Sequence, residues 1–179
     1  KGLDIPISGA AEHTITHGPA VHAVGLIGDD SVGLKPTMLV APGDSVKLGQ
    51  SVFTDKKNPG VRYVAPGSGR VTAVHRGERR RFRCLEIELD GDQADSYAAR
   101  DVTTLTRDQA IESLVESGWW TALRTRPYNK VPDPSTTPSA IFVTAIDTHP
   151  LALDAAAVIA EKSDPFIFGL HTLSRLTDG

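Results

Sequence analysis

The sequence is poor in cysteine, in long apolar runs and in any excess of one charge. Cys84 is the single cysteine among 179 residues. A lone thiol closes no internal disulfide, and zinc or iron–sulfur centres built on thiolates need several more. That usage fits a reducing, cytoplasmic setting. No apolar run approaches the ~20 residues of a membrane-spanning helix, and the first residues lack the basic, apolar and small-residue regions of a signal peptide. Membrane contact is therefore expected to be peripheral. The formal charge of −3 argues against a general nucleic-acid binder, whose affinity comes from neutralising many phosphates. The length allows one ordinary domain or two small ones. A start at Lys1 without methionine and a stop at Thr177-Asp178-Gly179 read as a piece of a longer chain.

Several site signatures are also missing. Gly25, Gly28 and Gly33 in "GLIGDDSVG" do not make the G-x-G-x-x-G of a dinucleotide fold, and Gly67-Ser68-Gly69 lacks the spacing and lysine of a phosphate loop. These are read as turn glycines. The histidines are scattered; His13, His17 and His22 have no helical or C-x-x-C-like spacing, so no metal is assigned. Asp147, Thr148 and His149 end an expected strand, where α/β folds place sites. Without a base and an orienting partner, Asp147 or Thr148 reads as a cap for the following turn.

What is present changes character near residue 100. Before it, "AVGLI" (23–27), "TMLVA" (37–41), "SVF" (51–53), "VRYVA" (61–65), "RVTAV" (70–74) and "CLEIEL" (84–89) are short β segments bounded by Gly, Pro or Asp. In the last, Leu85, Ile87 and Leu89 alternate with Cys84, Glu86 and Glu88, which predicts one buried and one wet face. Val40-Ala41-Pro42-Gly43 is echoed by Val64-Ala65-Pro66-Gly67, the mark of a quasi-symmetric biotinyl/lipoyl-like barrel-sandwich hybrid. After it, Thr106 and Gln109 form a capping box for a helix carrying Ala110, Ile111, Leu114 and Val115, which Gly118 ends. A Pro-rich loop, 127–138, follows. "AIFVTAID" (140–147) has the continuous apolar character of a strand buried on both faces, and Ser163 as cap, Pro165, Phe166, Leu170 and Leu173 give a closing helix. The expectation is a mixed α+β chain, with a barrel-sandwich hybrid over 1–100 and the first part of an α/β domain over 101–179.

A carrier-like barrel raises the question of a modified lysine. Lys56 and Lys57 lie beside an expected hairpin, but Asn58-Pro59-Gly60 lengthens the connection and the biotinyl "MKM" signature is missing. A carrier modified on Lys56 or Lys57 is the alternative reading; the simpler one is a solvated turn.

"KGLDIPISG", "GLKPTMLVAPGDSVKLGQ", "FTDKKNPGVRYVAPGSGRV", "SGWWTALRTRPYNKVP" and "AIFVTAIDTHPLA" together closely resemble the A subunits of the bacterial Na+-translocating NADH:quinone oxidoreductases. The resemblance runs over the whole chain. It implies a peripheral subunit on the cytoplasmic side of the bacterial inner membrane, within a respiratory translocase that oxidises NADH, reduces ubiquinone and transports sodium. It also implies an α/β part similar to the flavin subunit of respiratory complex I. No cofactor is expected in this chain; NADH and flavins belong to other subunits, which are the implied partners together with ubiquinone.

A quinone needs an apolar wall and donors for its carbonyl oxygens. In "GWWTALRTRPYNKVP" (118–132) Trp119 and Trp120 supply the flat area, and Arg124, Arg126, Tyr128 and Lys130 the donors. The simpler reading of this stretch is an interdomain hinge with core tryptophans. Lys35 and Met38, flanking a proline edge strand, form a second candidate. Arg76, Arg79, Arg80, Arg81 and Arg83 crowd an expected hairpin at Gly77, as a solvated turn or a patch facing acidic lipid or a neighbouring subunit.

Overall fold

A computed structural model describes residues 7–9, 11–12 and 14–178. His13 and the first six residues of the opening stretch lie outside that set. Two compact units divide the chain, one of Ala20–Thr137 and one combining Lys1–Pro19 with Pro138–Gly179.

The first unit is built from short strands, as the turn spacing predicts. These are β1 (Ala23–Ile27), β2 (Pro36–Met38), β3 (Ser45–Val46), β4 (Ser51–Asp55), β5 (Arg62–Val64), β6 (Gly69–Arg76) and β7 (Phe82–Leu89). One sheet runs β1-β7-β6-β3 and the other β2-β4-β5, with antiparallel pairing throughout. β3 has no counterpart in the sequence reading, because two residues carry no measurable alternation.

Alternation on β7 sends Leu85 and Ile87 into the core with no exposed surface, while Arg83 and Glu88 face solvent. Val71 on β6, Val52 and Phe53 on β4, and Val61 are buried with them. Phe53 stacks on Tyr63 of β5 at 4.7 Å and meets Phe82 of the other sheet edge-on at 5.2 Å. Ring contacts of this kind add about 0.5–1.5 kcal/mol to area burial. The β6–β7 hairpin begins at a forced glycine: a Cβ on Gly69 would lie 1.9 Å from the Glu88 carbonyl oxygen.

The helix α1 (Arg107–Glu116) starts at Thr106, and the capping box with Gln109 is complete in both directions. Gly118, at φ +77°, ends it, and a Cβ there would sit 2.6 Å from Val64 Cγ2. The 127–138 loop carries no helix.

The second unit holds α2 (Ala155–Glu161) and α3 (Ser163–Ser174). The sequence reading contains no counterpart of α2; Asp154 caps it by accepting from the Ala156 N–H. Two expectations need correction. Residues 140–147 form no strand: Phe142 is 88 % and Ile146 67 % exposed. A strand exists only by pairing, and among the described residues this unit contains no other strand to pair with. Ser163 is the first helical residue and not the cap, which falls on Lys162 with no side-chain bond. α3 turns Thr172 inward and leaves Leu170 37 % exposed. Asp147 does cap its turn, accepting from the His149 N–H. Among the described residues no helix is long and apolar enough to cross a membrane.

Candidate functional site

The 118–132 segment sits on the barrel unit through its backbone geometry. Left-handed Gly118 turns the chain from α1 into a short 3-10 turn, Trp119–Ala122. Within that turn the two tryptophans diverge. Trp120 is 3 % exposed, and its Nε1–H donates to the Pro132 carbonyl at 2.9 Å. The Asn58 amide donates to the Val131 and Pro132 carbonyls at 3.1 and 2.9 Å. Trp120 thus closes the loop on itself, and Asn58 clips it onto the β4–β5 connection. Trp119 is 69 % exposed and presents its indole to solvent.

The polar candidates divide the same way. Arg124 donates to the carbonyls of Thr121, Leu123 (2.9 Å) and Asp30 (3.2 Å). Most of its donors are therefore spent on the fold. Arg126 precedes a cis proline, Pro127, and is exposed. A tight turn follows, in which the Thr125 N–H donates to the Lys130 carbonyl and the Asn129 N–H to the Thr125 carbonyl, both at 2.8 Å. That turn brings the Lys130 ammonium to 5.8 Å from the exposed Tyr128 ring, within cation–π range.

Lys35 and Met38 stand in different settings. Met38 is half-buried on β2 opposite Phe53, whereas Lys35 precedes the strand and enters a groove. The groove, of about 690 Å³, is lined by Lys35, Lys56, Lys57, Arg76, Arg79, Arg80 and Arg81, with Asp29 as its one carboxylate. Val32, Leu34, Pro36 and Phe82 supply apolar wall. The backbone explains the convergence. Pro36 pairs with Asp55, and the Lys56 N–H donates to the Lys35 carbonyl at 2.9 Å. Asp55 accepts from the N–H groups of Lys35 and Lys57. Lys56 and Lys57, the two lysines a carrier would modify, therefore lie on the β4–β5 turn.

In the sequence the arginine hairpin and the lysine pair stand apart. The pairing of β2 with β4 sets Lys35 beside the lysine pair, and the hairpin, which belongs to the other sheet, shares the groove lining with them; the sequence carries no sign of the register that joins Lys35 to Asp55. Asp29 is held by Arg81 and, at 3.0 Å, by Arg83. A second cavity, about 460 Å³, lies between Pro59, Ile111, Val115 and Pro134. Arg107 borders it; its guanidinium donates to the Thr136 carbonyl at 3.0 Å while its buried Nε has no partner. The Cys84 thiol is pushed up by burial and by the neighbouring Glu86 charge, which keeps it protonated and unreactive at neutral pH. Among the described residues no group of three or more His, Cys, Asp or Glu side chains is placed to hold a metal.

Comparison with known proteins gives two consecutive domain matches. Residues 1–90 match the NqrA N-terminal barrel-sandwich hybrid domain, and residues 105–179 the NqrA second alpha/beta domain. Among curated proteins, the A subunit of the Na(+)-translocating NADH-quinone reductase of Yersinia pseudotuberculosis serotype O:1b is 51 % identical over 182 residues, covering 100 % of this chain and 41 % of its own length. Its counterpart in Pseudomonas aeruginosa strain UCBPP-PA14 is 55 % identical over 98 % of the chain and 40 % of its own length. That of Rhodopirellula baltica is 50 % identical, over 100 % and 40 %. The chain spans about 41 % of the length of such relatives.

Proposed function

The chain belongs to the NqrA family, and we propose that it forms the N-terminal part of the A subunit in a Na+-pumping NADH:ubiquinone oxidoreductase. The observation that carries this reading is the match along the chain: two domains in order, at 50 to 55 % identity to subunits of that name. In this reading the assembly is the enzyme, an oxidoreductase and translocase. The chain is a peripheral subunit on the cytoplasmic face of the inner membrane, divided into a barrel-sandwich domain over 1–100 and an α/β part over 101–179. It contributes to complex assembly and to quinone binding, while NADH and flavins are held by other subunits.

For quinone, the support is an exposed flat indole on a rigid mount. Trp119 is fixed in place by its buried neighbour Trp120, and Tyr128, Arg126 and Lys130 stand on the adjoining turn with donors directed to solvent. An apolar face beside a few donors is what a quinone ring requires, and a cation there stabilises the charge that develops on reduction. Arg124 holds the loop, and Lys35 and Met38 form the weaker second locus.

The test is an NMR titration with a short-chain ubiquinone, following backbone amides and both indole signals against a solvent control. Saturable shifts confined to 118–132, with the Trp119 indole moving more than that of Trp120, are expected. Saturable shifts elsewhere, or none at the solubility limit, overturn a quinone site in these residues.

A further inference from the structure

The quinone reading uses nothing of the basic groove beside the β6–β7 hairpin except Lys35. The whole chain carries a net charge of −3, yet cations converge here from three segments: Lys35, the Lys56–Lys57 turn and the hairpin tip. Among the described residues, no carboxylate lies within ion-pair distance of Lys35, Lys56, Lys57, Arg79 or Arg80. The one carboxylate in the groove, Asp29, is already neutralised by Arg81 and Arg83. Gathering like charges in a concavity raises the free energy of the empty state, and an entering anion relieves it. The tip is also held in an unfavourable conformation. Arg79 and Arg80 both have positive φ, 52° and 62°, a region that side chains of this type seldom occupy.

The shape selects among anions. A volume near 690 Å³ is far larger than one inorganic phosphate fills. Part of the lining is aliphatic: Val32, 48 % exposed, with Leu34 and Pro36. A soluble polyanion or an acidic peptide satisfies the cations but leaves those aliphatics in water. A phosphodiester headgroup with its glycerol and first acyl carbons satisfies both. We propose that this groove binds the headgroup of an anionic phospholipid, with the hairpin arginines and the turn lysines on the phosphate and with Val32 and Leu34 at the glycerol level. Clusters of this size and charge are drawn to anionic membrane surfaces.

The test is co-sedimentation of the purified chain with vesicles of phosphatidylcholine alone and of phosphatidylcholine mixed with phosphatidylglycerol, without quinone. Binding to the mixed vesicles only, weakening as salt is raised, is expected. Each basic residue removed is expected to weaken binding about fivefold, so the Arg79→Glu/Arg80→Glu and Lys56→Glu/Lys57→Glu pairs should each lose at least about 25-fold. Arg62→Glu/Arg70→Glu, the same charge change outside the groove, should bind as the parent does. Circular dichroism and thermal unfolding establish that the variants fold, and either groove pair suffices if the other does not. The proposal is overturned if both vesicle types bind alike, if a folded groove pair retains binding, or if the control pair loses as much. It is also overturned if inorganic pyrophosphate or polyglutamate displaces the chain at the anion concentration presented by phosphatidylglycerol, which would make the groove a site for soluble phosphate or for an acidic protein segment.

Discussion

Trp119 and Trp120 are adjacent in sequence and opposite in environment. Truncating the buried one removes its packing and leaves the Pro132 carbonyl without its indole donor. Trp120→Ala is expected to lower the stability of the barrel unit by about 3–5 kcal/mol, and Trp119→Ala to change it by no more than about 0.5 kcal/mol; urea unfolding separates the two. Both rings are visible in the sequence but their directions are not, because a 3-10 turn of four residues carries no periodic signal. At Glu86 the hydrogen bond from His75 at 3.0 Å holds the carboxyl below the ordinary glutamate value, with Thr72 adding to the effect. Any stability from this bond is fully present above the unfolded-state value and is lost as pH falls through the lowered folded-state value. A carbon-detected titration should find the Glu86 midpoint depressed, and His75→Ala should return it toward that of a free glutamate. An unchanged midpoint in the variant would show that His75 is not the cause.

Elements are legible where their local chemistry is self-sufficient. Thr106 and Gln109 specify a helix start from four residues, and Gly118 specifies its stop; both stand where the spacing places them. The glycine is needed twice, for its positive φ and for the close approach of Val64. Gly118→Ala is therefore expected to cost about 1–3 kcal/mol, measurable as a fall in the denaturation midpoint with an unchanged slope. Elements that depend on a partner are less legible. β3 is defined only by its pairing with β6. The run at 140–147 has strand composition and no strand, since composition records what would be buried and not whether a neighbour is there to bury it. The basic groove belongs to the same class. Each of its segments is visible in the sequence, and their meeting depends on strand register within one sheet and on the facing of the other.

At the scale of the molecule, the large fully buried side chains Phe53, Leu85, Ile87, Val52, Val61 and Val71 lie in Ala20–Thr137, and only Leu176, among the described residues, is their equal in the other unit. A chain limited to 20–137 is therefore expected to unfold in one cooperative step, and its amides in β6 and β7 to be the slowest to exchange with deuterium. A broad, non-cooperative melt would show that the barrel unit depends on the remainder. The stretch from Ala140 to Ile146 has the opposite character: apolar, rich in β-branched residues, uncharged and in contact with water. Segments of that composition are the seeds of cross-β assembly. At high protein concentration the 179-residue chain should scatter light and bind thioflavin while the 20–137 chain stays clear. One charge placed at the most exposed ring, Phe142→Lys, should delay that turbidity without shifting the barrel's melting, so that shelf life and fold stability are set in this protein by different parts of the sequence.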